Sequence, residues 1–161
     1  MAAKGWTNVS AADMAAHPFR EAHLEIARID GTTVYFTHEI PYAMTAGAAE
    51  VYKTDLVHGL SMSDFTIDSG LGAANANNFV NLMPAFDGLA ALYAGGTSGA
   101  KLHDITILDA PSVGLEVSAS LDMSVDHLTV RGAWNKGEGG NGYGLEIGET
   151  FNSSFTNLDI I

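Results

Sequence analysis

A chain of 161 residues, 47% hydrophobic and 16% charged, can build one domain with a continuous core and is too apolar for a disordered segment. Nineteen acidic residues against seven Lys and Arg leave a formal charge of −12, which repels nucleic acid and anionic lipid and excludes both as expected partners. Without cysteine there is no disulfide framework and no thiolate metal site, and no apolar run approaches a membrane span.

The charge suits a soluble protein, a cation binder or a saline habitat. Met1 to Trp6 carries no apolar signal-peptide stretch. Ser10 is placed to cap a short helix over Ala11–Ala16, with Asp13 as a weak capping-box partner and Pro18 as its limit. Such a helix is too short to stand alone and should pack on something. Residues 22–40 read as a hairpin. Leu24, Ile26 and Ile29 precede Asp30-Gly31, a strong two-residue turn signal, and Val34 and Phe36 alternate after it. Pro41 ends that strand, and Val51-Tyr52-Lys53 is a further pairing candidate.

From residue 56 a repeat appears. Met62-Ser63-Asp64-Phe65-Thr66-Ile67, Leu102-His103-Asp104-Ile105-Thr106-Ile107, Val125-Asp126-His127-Leu128-Thr129-Val130 and Phe155-Thr156-Asn157-Leu158-Asp159-Ile160 share one pattern. Each runs apolar, polar, turn-forming, apolar, polar, apolar. A second pattern falls between them: Gly88-Leu89-Ala90-Ala91, Gly114-Leu115-Glu116-Val117 and Gly144-Leu145-Glu146-Ile147. Period-two alternation makes strands with one buried face. The third residue of the first pattern is Asp, Asp, His and Asn, residue types that tolerate a left-handed bend and bond nearby backbone. Stacked bends would form a ladder. Eighteen glycines punctuate these short runs. An antiparallel sandwich explains short strands and glycines, but not two patterns alternating in fixed order. The expectation is all-β: a right-handed parallel β-helix over residues 56–161, preceded by a helix and hairpin cap over residues 1–55. The chain stops inside the fourth copy, so the coils are expected to continue in a longer chain or to be covered by a partner.

The phrases His58-Gly59-Leu60-Ser61-Met62-Ser63-Asp64-Phe65-Thr66-Ile67 and Asn141-Gly142-Tyr143-Gly144-Leu145-Glu146-Ile147 resemble the pectin-lyase-like right-handed β-helix superfamily. The resemblance covers about residues 22–161 and is one of fold pattern, without a diagnostic catalytic motif. It implies a module that binds or processes polysaccharide outside the cell, at the cell surface or on a virion. If catalytic, it would be a polysaccharide lyase or uronan C5-epimerase acting on acidic glycan. The alternative is a non-catalytic structural or adhesive β-helix of a phage tail or bacterial surface protein, as a homotrimer or part of a longer chain.

Candidate site residues follow from position. Glu116 and Glu146 occupy the same place in successive copies of the second pattern, so their carboxylates should project outward from adjacent rungs about 4.8 Å apart. Two carboxylates that close share a proton, bind a cation such as Ca²⁺, or turn apart into water. They are the candidate catalytic pair and the candidate metal ligands. Tyr143 and Arg131 have the acid, base or neutralising chemistry that lyases and epimerases need. Trp134 and Lys136, in the Gly-rich loop Trp134–Asn141, are candidate substrate contacts, one stacking on a sugar and one attracting a uronate. His127, although flanked by Asp126, matches Asp64, Asp104 and Asn157 and is expected to be a bend residue.

Overall fold

The computed structural model describes residues 22–41, 43, 51–139 and 141–161. The helix expected over Ala11–Ala16 lies outside the described residues. The hairpin falls in one compact unit, Met1–Ala43, and the coils in another, Met44–Ile161.

In the first unit, β1 (Ile26–Asp30) and β2 (Thr33–Phe36) pair antiparallel with Asp30 opposite Thr33. The loop is therefore Gly31-Thr32, one residue beyond the Asp30-Gly31 turn expected. Asp30 is held in the strand by its pairing, and Gly31 takes the left-handed φ of +59. Val51-Tyr52-Lys53 forms no strand, because β propensity acts only where a neighbouring strand offers a ladder.

The second unit winds through successive turns. The first holds β3 (Val57–His58), β4 (Ser61–Asp68) and β5 (Ala90–Gly95). The second holds β6 (Thr97–Ser98), β7 (Lys101–Ala110) and β8 (Val113–Ser118). The third holds β9 (Ser120–Leu121), β10 (Ser124–Ala133) and β11 (Leu145–Ile147), and the fourth holds β12 (Thr150–Phe151) and β13 (Ser154–Ile160). Like strands of successive turns hydrogen-bond into three sheets, ordered β13-β10-β7-β4, β11-β8-β5 and β12-β9-β6-β3. Every pair in them is parallel, the arrangement of a parallel β-solenoid. A parallel pair needs a crossover of a dozen or more residues, and here the other two faces of the turn supply it.

Register follows the first repeat pattern. Met62, Leu102, Val125 and Phe155 are Cα partners in sequence, as are Ile67, Ile107, Val130 and Ile160. Between them Asp64, Asp104, His127 and Asn157 all take φ from +51 to +59, so the long strands bend at a ladder of left-handed residues. Two further ladders of the same conformation mark the corners on either side of the short strands: Gly96, Ala119 and Glu149, then Gly59, Gly99, Asp122 and Asn152. The second pattern is shifted in its first copy. Leu92, not Leu89, pairs with Leu115 and through it with Leu145, so Ala91-Leu92-Tyr93-Ala94 is the true copy. Gly88 instead sits in the preceding loop at φ +69, its N–H held by Ser112 Oγ at 3.2 Å and Asn141 Oδ1 at 3.0 Å.

The core fills the inside of the turns. Leu102, Ile105 and Ile107 of β7, Leu115 and Val117 of β8, and Val125, Leu128 and Val130 of β10 are buried together with Met123. Each large side chain of this kind stabilises the fold by about 1.5–3 kcal/mol relative to exposure. The glycines opening the second pattern have a packing reason. A Cβ on Gly114 would lie 2.4 Å from the Gly144 carbonyl oxygen and 2.6 Å from Val130 Cγ1. Since a backbone oxygen cannot swing aside, Gly114→Ala should destabilise the protein by about 1–3 kcal/mol in urea unfolding. Wild-type stability in that variant would mean the two turns do not approach this closely.

Candidate functional site

The outer face of sheet β5-β8-β11 carries one column of polar side chains. Leu92, Leu115 and Leu145 pair in register, and so do Tyr93, Glu116 and Glu146, one residue further along. Alternation turns the leucines towards the core and the second column outward. Glu116 is half-buried and Glu146 exposed. Tyr93 is 58% exposed, and its ring lies along its own strand over Gly95, where an added Cβ would come within 2.2 Å of the Tyr93 hydroxyl. The two glutamates are thus neighbours on adjacent rungs, as their matching positions imply. Tyr93 is hard to find in the sequence because the Gly88-Leu89 pair, which matches the start of the other copies, lies three residues before Ala91-Leu92, the pair in register with them.

The remaining candidates lie elsewhere. Tyr143 precedes β11, where its carbonyl accepts the Gly114 N–H at 2.8 Å, and it stands outside the Tyr93–Glu116–Glu146 column. Arg131 belongs to the long sheet, where Nη2 bonds Asp159 Oδ2 at 2.8 Å. Trp134 Nε1 donates to the Gly72 carbonyl at 3.2 Å. Lys136 Nζ donates to the Asn75 carbonyl and lies 5.7 Å from the centre of the Phe79 ring. The six candidates therefore do not form one constellation. Among the described residues no group of three or more His, Asp or Glu side chains is arranged to hold a metal ion. Ca²⁺ takes six to eight oxygens, so the Glu116–Glu146 pair would need sugar or water oxygens beside its own.

Trp134 and Lys136 take part in a clasp between two loops. Met62 and Leu102 are 40 residues apart, Leu102 and Val125 23, and Val125 and Phe155 30, so the first and third turns carry insertions and the second does not. The insertions meet over the tight corner Ala110-Pro111-Ser112. Trp134, Asn135 and Gly142 donate backbone N–H groups to the carbonyls of Ala110, Pro111 and Ser112. Fully buried Asn135 acts as a substitute peptide: its Oδ1 accepts from Met83 N–H at 2.7 Å and its Nδ2 donates to Met83 O at 2.8 Å. Asn81 does the same for the other loop, accepting from Gly137 N–H at 2.7 Å and donating to Glu138 O at 2.8 Å. Buried Asn141 accepts from Gly88 N–H and the Ser112 hydroxyl and donates to Asp87 Oδ1 and Glu138 O. The Gly-rich loop looks in sequence like a mobile insertion; Asn135, Gly137 and Asn141, bonded across the corner, make it a hydrogen-bonded seam. Asn135→Ala leaves the part-buried Met83 N–H and C=O without their partner, and urea unfolding should register a loss of about 1–3 kcal/mol. A loss under half that range would mean water replaces the amide.

A second polar cluster sits at the bend of the long sheet. His103 Nδ1 lies 2.8 Å from Asp104 Oδ2, and His127 Nδ1 lies 2.9 Å from Asp126 Oδ2. Asp126 Oδ1 accepts from Thr156 Oγ1 at 2.7 Å and Asn157 Nδ2 at 2.8 Å. Those two hydrogen bonds, with a smaller contribution from His127, lower the Asp126 carboxyl to a pKa of about 2. A carboxyl depressed on folding stabilises the native state above its unfolded value of about 3.9. That contribution fades as pH falls through the folded value. The melting temperature should therefore drop between about pH 4 and pH 2, and Asp126→Asn should flatten that part of the profile. An unchanged slope in the variant would show that Asp126 is not the titrating group.

No protein-family model, curated protein or solved structure matches the chain.

Proposed function

We propose that this chain is a polysaccharide-binding module, a right-handed parallel β-helix of the pectin-lyase-like kind, working outside the cell or on a virion. Its glycan lies along the outer face of sheet β5-β8-β11. The observation that supports this is the in-register column of Tyr93, Glu116 and Glu146. An extended sugar chain is a linear array, and a solenoid repeats a side chain about every 4.8 Å along its axis. Tyr93 offers an apolar ring face with a polar tip, suited to the C–H face of a sugar. The glutamates accept hydrogen bonds from hydroxyls. For an acidic glycan, a Ca²⁺ ion between the paired carboxylates and the uronate removes the repulsion expected at a formal charge of −12.

Binding without turnover is the reading these positions favour. Arg131 is in an ion pair on another sheet, Trp134 and Lys136 are bonded within the loop clasp, and Tyr143 lies outside the register column of the glutamates. The lyase or epimerase alternative needs a base and an acid at one sugar ring, which those four residues do not supply together.

Affinity electrophoresis through gels containing alginate, pectate or a neutral glucan, with Ca²⁺ or with a chelator, tests the proposal. We expect retardation by a uronan in Ca²⁺, at least tenfold weaker for Tyr93→Ala and for the double variant Glu116→Gln/Glu146→Gln, without ultraviolet absorbance from unsaturated product. Retardation by no polysaccharide, or full retardation of both variants, overturns the binding face. A rise in absorbance overturns the non-catalytic reading.

A further inference from the structure

The outer face of the long sheet holds an arrangement that the glycan reading does not use. His103 on β7 is the Cα partner of Asp126 on β10, and the next pair along, Ile105 with Leu128, places Asp104 beside His127. Histidine and aspartate therefore alternate in a two-by-two square. The bend ladder holds Asp104 and His127 at φ +55 and +52, which fixes where their side chains start. From the rung spacing of about 4.8 Å and a rise of about 3.3 Å per residue, the two histidine Cα atoms stand roughly 6 Å apart.

Both imidazoles are exposed and both are oriented. Each directs Nδ1 to the carboxylate that follows or precedes it in the chain, at 2.8 and 2.9 Å. The Asp126 carboxylate is itself held, one oxygen by His127 and the other by Thr156 and Asn157. An Nδ1–H bonded to a carboxylate fixes the tautomer that leaves Nε2 with its lone pair, and it holds the ring in one orientation. A histidine held in this way by a carboxylate on its far nitrogen is oriented to serve as a metal ligand.

We propose that His103 and His127 bind one borderline divalent ion, such as Zn²⁺ or Ni²⁺, through their Nε2 atoms. Asp104 and Asp126 act behind them as orienting groups. Imidazole nitrogen selects these ions over Ca²⁺ and Mg²⁺, which require oxygen. With two protein ligands, the site leaves its other coordination positions to water or to an oxygen ligand from outside. It is a separate site from the Glu116–Glu146 column, which lies on another sheet.

Isothermal titration of the full chain with ZnCl₂, NiCl₂ and, for contrast, CaCl₂ tests this. We expect one Zn²⁺ or Ni²⁺ per chain and no competition by Ca²⁺. His103→Gln and His127→Asn should each weaken binding at least tenfold, Asn being chosen at 127 because it tolerates the left-handed bend as Asn157 does. Asp126→Asn should weaken it by about 10–100-fold. His58→Gln, on β3, should change nothing. Circular dichroism checks that each variant is folded. In the unaltered protein, Zn²⁺ should protect both His103 and His127 from acylation by diethyl pyrocarbonate, a readout that does not depend on any variant folding. No binding below millimolar metal, wild-type affinity in both histidine variants, or acylation unaffected by Zn²⁺ overturns the proposal.

Discussion

The solenoid depends on one constraint: each turn must repeat its corners directly above those of the turn before. A parallel strand pair keeps its hydrogen bonds only while successive strands change direction at the same residue. The long sheet does this at Asp64, Asp104, His127 and Asn157, all left-handed. That conformation costs most side chains about 1–2 kcal/mol, and Asp and Asn least among the non-glycine types. Once the bend is aligned, the apolar residues on either side of it are aligned too. Leu102 stacks on Val125 and Ile107 on Val130, and the core becomes continuous.

The same constraint explains where extra residues are tolerated. Both insertions leave the coil at one corner, after the long strand and before the strand that pairs with β8. The shorter second turn leaves that corner low, and the two loops close over it. The loops pair through an isolated antiparallel bridge, Asn81 with Asn135, rather than a full ladder, and asparagine amides supply further hydrogen bonds across it. Asn81, Asn135 and Asn141 each bond across the seam. This draws Trp134 and Lys136 into structural work and away from the solvent-facing role their chemistry suggests.

Stacking also turns one-dimensional sequence into surface columns. A side chain on the outer face meets its counterpart from the next turn, whatever lies between them in the chain. Glu116 meets Glu146 and Tyr93 by this rule, and His103 meets Asp126 by the same rule on another face. The two proposed sites differ in donor type, oxygen on one and nitrogen on the other, and so differ in what they can attract. Neither needs a deep cleft. Each is a row laid on a rigid sheet.

The inward and outward faces of the long strands, their register from Met62 through Phe155, the left-handed bend ladder and the neighbouring positions of Glu116 and Glu146 are all legible in the residue order. All of these rest on alternation and on residue types with a conformational preference, which act over a few residues and repeat with the turn. The folded chain was needed to show that Tyr93 rather than Ala90 completes the glutamate column, that Gly114 is required by the Gly144 carbonyl and Val130, and that the hairpin loop is Gly31-Thr32. It alone also placed Arg131, Trp134 and Lys136 against protein partners. Those outcomes depend on contacts between residues in different turns or across insertions of unequal length, and no local preference encodes how such lengths will align.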